Sequence, residues 1–238
     1  MSKKIQFIAN SKYGFDTQLK PYPAIKSVPD WWKNAGIYDN KIYEKENKLI
    51  MHTKNPNWSF KKCTPMLDAI GSGYIIPLWA DVLVSIRDDG YYINWKTEAS
   101  VFELHGRSAS DVPPPVGYVN TVFKYLNTWI PITPKGYSCL ITSPFGYRDL
   151  PVMAIPAIID TDKSLLELVP PMWIKEGFEG VIEKGTPLVQ ITPFKRESWE
   201  SEFSFIEEEE HKKNLDKNFN GTIVSHYIKN VWSKKEYK

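Results

Sequence analysis

Apolar and polar positions alternate with a period of two through the middle of this chain. Val82, Val84 and Ile86 alternate with Leu83 and Ser85, Asp88-Asp89-Gly90 follows, and Tyr91, Ile93 and Trp95 resume the pattern. An Asp-Gly tip between two alternating runs predicts a hairpin over 81–97, because glycine accepts the positive φ that such a tight turn requires. A second hairpin is predicted over 119–142, with Thr133-Pro134-Lys135-Gly136 turning the chain between Val122…Ile132 and Tyr137…Ile141. Further strands are expected over 152–160 and 165–174, where Pro156, Pro170 and Pro171 withhold an amide donor and so belong at edges or bulges. Pro187 opens another strand through Ile191, a place where the missing donor does no harm.

Helical spacing is scarce before residue 197. Beyond it, Glu207-Glu208-Glu209-Glu210 precedes His211-Lys212-Lys213, acid before base in the order that favours i,i+4 pairs on a helix. Tyr227, Ile228, Val231 and Trp232 share one side of a closing helix predicted over 225–237. The expected fold class is therefore all-β. A jelly-roll or β-barrel-like core spans 61–196, an extended arm over 1–60 packs on it, and a helical segment occupies 197–238. Pro21, Pro23 and Pro29 leave the arm little regular structure, and Trp31-Trp32 should pin it down. Trp31, Trp32 and Trp232 are the expected interface anchors, since tryptophan combines a large apolar body with one polar handle.

Composition agrees with this reading. The 238 residues are 42% hydrophobic and 24% charged, which supports a packed core and excludes disordered, collagen-like and coiled-coil chains. Nine Trp and eighteen Pro fit strands punctuated by turns. The net charge is +2, and Arg87, Arg107, Arg148 and Arg196 are the only arginines, so neither nucleic acid nor an anionic membrane is an expected partner. Cys63 and Cys139 are too few for a disulfide framework or a zinc knuckle. The first residues lack the apolar stretch of a signal peptide, and no run of about 18 apolar residues exists to span a bilayer.

Most familiar chemistry is missing. A two-His-one-carboxylate iron site needs a His-x-Asp/Glu pair on one strand face. His52, His105, His211 and His226 are followed two positions later by Lys54, Arg107, Lys213 and Ile228. The HExxH, GxSxG and GxxxxGK[ST] motifs are absent as well. No catalytic residue, metal or cofactor is expected, and Gly71-Ser72-Gly73 reads as a tight turn into a strand at Tyr74. One cluster stands out: His105, Arg107 and Asp111 precede the stiff Pro113-Pro114-Pro115 run. His105 and Arg107, with Arg148 and Asp160, are the candidate ligand-binding residues, since histidine can shuttle a proton, arginine can hold an anion and aspartate can activate water. Asp160 and Asp162 close an apolar strand, where an acid serves as turn-former or base.

Two resemblances follow from longer stretches. CLITSPFGYRDL, PAIIDTD and FEGVIEKGTPLVQITPF, in that order over 139–194, resemble the trimeric dUTPase and dCTP-deaminase β-barrel group. That likeness implies Asp160 at the water-activating position and Gln190 on the closing strand. Lys163 stands where the sugar-stacking tyrosine would be, and Pro144-Phe145-Gly146 lacks the serine of the phosphate turn, so the likeness implies barrel topology without the activity. A broader resemblance, over about 20–200, is to an uncharacterised jelly-roll-like family of bacteria and tailed phages. It rests on Pro29-Asp30-Trp31-Trp32, KKCTPMLDAIGSGYIIPLWADV at 61–82, His105-Gly106, the Ile-Asp-Thr-Asp step and KGTPLVQITPFKR at 184–196. It implies a phage-encoded, non-enzymatic structural or accessory protein with protein partners or self-association, located in the virion or the cytoplasm of the infected cell. The alternative is a barrel that binds a nucleotide or small anion, as a dUTPase-like hydrolase or a signalling-nucleotide sponge.

Overall fold

The computed structural model describes residues 3–36, 59–104, 112–219 and 227–238. The chain divides into two compact units, one comprising Met1–Ser27, Gly71–Arg196 and Tyr237–Lys238, the other Val28–Ile70 and Glu197–Glu236.

The first unit is almost wholly β. It begins with β1 (Gln6–Ala9), α1 (Lys12–Thr17) and β2 (Tyr22–Pro23). It resumes with β3 (Tyr74–Pro77), β4 (Val82–Arg87), β5 (Gly90–Trp95), β6 (Phe102–Leu104), β7 (Tyr118–Tyr125) and β8 (Trp129–Ile132). It ends with β9 (Tyr137–Thr142), β10 (Val152–Ala154), β11 (Ala157–Ile159), β12 (Pro171–Lys175), β13 (Gly180–Ile182) and β14 (Pro187–Lys195). The strands form antiparallel sheets ordered β1-β8, β10-β12-β7-β6, β11-β9-β14-β3-β2 and β13-β4-β5. The all-β expectation is met among the described residues. Because β1 and β2 complete sheets, residues 1–27 belong with the β unit rather than with an arm reaching to residue 60.

Local pattern and packing agree closely in β4 and β5. Arg87 pairs with Gly90 across a two-residue tip, with Gly90 at φ 138. Val82 and Val84 are fully buried and Leu83 is exposed, whereas Ile86, in step with the two valines, is exposed near the tip. In β14 the pattern is a continuous run. Leu188, Val189, Gln190 and Ile191 are all buried, as a strand flanked by β9 and β3 and covered on both faces requires. Leu188, Val189 and Ile191 join Ile76, Leu78, Tyr125, Ile141, Met172 and Ile174 in one core, each large aliphatic group contributing roughly 1.5–3 kcal/mol on leaving water.

The second hairpin differs from expectation. Its turn forms, with the Tyr137 N–H donating to Pro134 O at 3.2 Å. The flanking strands do not pair: β8 joins β1, β9 joins β11 and β14, and β7 lies in another sheet. The turn's own polar groups explain the splay. Thr133 N–H donates to Thr161 O at 3.2 Å, and Gly136 N–H donates to Asp162 Oδ2 at 2.7 Å, so the 160–162 corner takes bonds that a closed hairpin would have used. The stretch 152–160 splits at Pro156 into β10 and β11, each an edge strand of a different sheet. Only Pro171–Lys175 of the next predicted strand is regular; it starts on its proline and lies centrally, with a register shift between Trp173 and Lys175.

The second unit contains α2 (Asp30–Asn34), α3 (Thr64–Ile70) and α4 (Glu208–Phe219). Trp31 and Trp32 meet edge to face at 5.6 Å, and Trp32 is buried. In place of the closing helix, the described residues show one π-helical turn, Tyr227–Val231, with Trp232 N–H donating to Tyr227 O at 2.8 Å. The Trp232 indole donates to Asp68 Oδ2 of α3 at 2.8 Å, and Lys235 Nζ reaches the same oxygen at 2.7 Å. Those anchors hold the chain to α3 where a continuing helix would have carried it onward. Residues 198–207 have no regular structure and are exposed throughout.

Candidate functional site

Strand register assembles a dense polar cluster among the described residues of the β unit. Ile159, the last residue of β11, pairs with Cys139, so Asp160 emerges beside Ser138. Lys195, the last residue of β14, pairs with Tyr137, so Arg196 emerges beside Gly136. Ser138 Oγ donates to Asp160 Oδ1 at 2.7 Å. The Arg196 guanidinium forks onto Asp162, with Nη1 to Oδ1 at 2.8 Å and Nη2 to Oδ2 at 2.6 Å. Nη1 also lies 3.0 Å from Tyr137 O, 3.0 Å from Ser138 Oγ and 3.2 Å from Asp160 Oδ1. The backbone closes the cluster through Arg196 N–H to Gly136 O at 2.9 Å.

The electrostatics follow from these contacts. The Arg196 fork, then the Gly136 N–H, hold the Asp162 carboxyl far below the ordinary carboxylate range. The Ser138 hydroxyl, with help from Arg196 and Lys163, lowers Asp160. A general base works best with a pKa near the operating pH. Carboxylates held this low are instead well suited to fixed anions in a charge-assisted buckle that ties the ends of β9, β11 and β14 together. The backbone carbonyl of Asp160 accepts the N–H groups of Lys163 and Ser164, each at 2.9 Å, so the chain turns at this strand end through its main chain.

Behind the buckle, Thr161 Oγ1 lies 2.7 Å from Thr133 Oγ1 and donates to Cys139 Sγ at 3.3 Å. Burial pushes the Cys139 thiol up to about 11. A thiol so protonated is a poor nucleophile. Native protein treated with iodoacetamide at mildly alkaline pH should therefore leave Cys139 unlabelled by peptide mass spectrometry, and urea should expose it. Rapid native labelling would contradict this packing.

Of the residues named from the sequence, Asp160 lies in the cluster. Arg148 is exposed on the loop after β9, and the groups acting on Asp160 are Ser138, Arg196 and Lys163. His105, Arg107 and Asp111 lie outside the described residues. Gln190 is fully buried, with Oε1 accepting Phe145 N–H at 2.8 Å and Nε2 donating to Ser72 O at 2.6 Å, so it holds two loops to β14. Sequence reasoning assigned no role to Arg196. Its only signal was a lone arginine at the end of a strand.

The second feature is a cleft of about 730 Å³ in the β unit. Ser11 caps α1 by accepting Gly14 N–H at 3.1 Å, and Tyr13 and Thr17, one helical turn apart, reach the cleft from that helix. Leu83 pairs with Val181 on one side and Asn94 on the other, so the outward face of β13-β4-β5 supplies much of the lining. Trp79, Asp81, Trp95, Lys96 and Lys184 also line the cleft. Its size falls among pockets that hold a small ligand or a few residues of peptide. This cleft had no counterpart in the sequence reading, because its residues come from four separate stretches. Among the described residues no helix is long and apolar enough to cross a membrane, and no group of three or more His, Cys, Asp or Glu is placed to hold a metal. Comparison with family models, with curated proteins and with solved structures returns no match for this chain, so its own side chains carry the functional reading.

Proposed function

We propose that this protein is a non-enzymatic component of a larger protein assembly, of the virion structural or accessory kind that the phage-family resemblance implies, on a jelly-roll-like core. One observation carries the reading. Trp199, Phe203 and Phe205 are 86%, 92% and 85% exposed on a stretch without secondary structure. Large apolar groups left in water within seven residues of one another mark an interaction site. The Asp160–Asp162–Arg196 buckle supports the same view, since its polar atoms are occupied with one another. The test is mass spectrometry of purified particles beside the soluble fraction of the same infected cells. Recovery in the particles is expected, and a monodisperse monomer confined to the soluble fraction overturns the proposal.

Lys96 and Lys184, two exposed lysines lining the cleft together with Trp95, favour one second reading, the binding of a nucleotide or small anion. A thermal-shift screen decides it. A native-state ligand at 100 times its Kd adds about 2.7 kcal/mol of stability, and no shift across a nucleotide panel removes this reading.

A further inference from the structure

We infer that the segment 197–206 of one copy docks into the cleft of a second copy, so that the protein assembles with itself through this pair of surfaces. The inference rests on the assembly reading above and names its partner.

The segment has the pattern of an amphipathic strand without a sheet. Trp199, Ser201, Phe203 and Phe205 occupy alternate positions, and Ser198, Glu200, Glu202 and Ser204 occupy the others. In extended backbone successive side chains point to opposite sides, so aromatics line one side and carboxylates the other. Between 197 and 210 there are seven glutamates and no basic residue. A partner must therefore offer apolar surface together with positive charge.

The cleft offers both. Leu83, Val181 and Tyr13 are exposed there, although apolar or aromatic. Lys96 and Lys184 line it and are exposed. Asp81, the acid of the lining, has its Oδ1 engaged by the Lys184 N–H at 2.7 Å, so a carboxylate already lies in part satisfied there. Seven extended residues span about 20 Å, enough to seat one or two aromatic side chains in the cleft while flanking glutamates meet the lysines. Such a contact is heterologous. It closes into a reciprocal dimer or a ring where the geometry permits, and otherwise propagates as an open chain.

The experiment compares three full-length proteins by sedimentation velocity over a concentration series. They are the wild type, Phe203→Ser/Phe205→Ser with an intact cleft, and Lys96→Glu/Lys184→Glu with an intact segment. All substituted side chains are exposed, and circular dichroism with thermal melts confirms folding. The wild type should self-associate, and each variant alone should lose about tenfold or more in affinity, the scale of an interface anchor. The two variants mixed should form a heterodimer, because together they hold one good segment and one good cleft. Raised salt should weaken the wild-type contact and the heterodimer interface alike, since the same glutamates meet the same lysines in both. A monomeric wild type, or a mixture that stays monomeric, overturns the inference. If the wild type is monomeric yet enters particles through another component, the self-docking falls while the assembly role stands. If it neither self-associates nor enters particles, both fall.

Discussion

Gly73→Ala should unfold this protein or leave it strongly destabilised, whereas Gly90→Ala should cost only backbone strain. Both glycines have positive φ, 69° and 138°; the first lies in the left-handed region, which costs an L-residue roughly 1–2 kcal/mol, and backbone strain outside the ordinary regions is of order 1–3 kcal/mol. The surroundings separate them. A Cβ at Gly73 would lie 1.9 Å from the carbonyl oxygen of Ile191 and 2.9 Å from the Cα of Thr192, both backbone atoms of β14. A Cβ at Gly90 meets nothing within 4 Å. Relieving the first clash means moving β3 away from β14 where Tyr74 pairs with Ile191, which opens the five-stranded sheet at its buried centre. Paired urea melts give the comparison. Equal midpoints for the two variants would show that the strands do not approach this closely.

The second large effect concerns Arg196. Arg196→Met should lower the melting temperature by several degrees near neutral pH, because it strips the fork from Asp162, whose side chain is 3% exposed, and leaves Asp160 close by with the same charge. The pH dependence has a definite sign. Asp160 and Asp162 both have native pKa values below the ordinary range. Their contribution is therefore complete above the unfolded value of about 3.9 and is lost as pH falls through the lower native values. The gap between wild type and variant should be widest near neutrality and should shrink below about pH 4. Arg196→Lys should fall between the two, since it restores charge without the planar fork. Melting curves that stay parallel across this range would mean that the buckle does not stabilise the fold.

The candidate cluster was half legible before the structure. Asp160 and Asp162 were visible as acids closing an apolar strand, because a strand end and a turn-forming side chain are local features. Arg196 was not, since its place beside them depends on β14 pairing with β9 in one register. A slip of one residue would turn its side chain to the other face. Trp232 illustrates the same limit: its spacing with Tyr227, Ile228 and Val231 fitted a helix, but its indole bonds to Asp68, far away in sequence.

What the sequence by itself determined was local: the β-rich class, the Asp88-Asp89-Gly90 tip, the proline at the entrance of β14, and an acid-then-base helix after residue 207. Each follows from periodicity or from φ preferences acting within a few residues. The tertiary structure decided which strands became neighbours. It parted β8 from β9, brought Arg196 to Asp162, and gathered α1, Trp95 and Lys184 around one cleft. Those outcomes depend on which distant apolar faces bury one another and on where the turn's amide groups find acceptors, and neither condition is written into any short stretch of the chain.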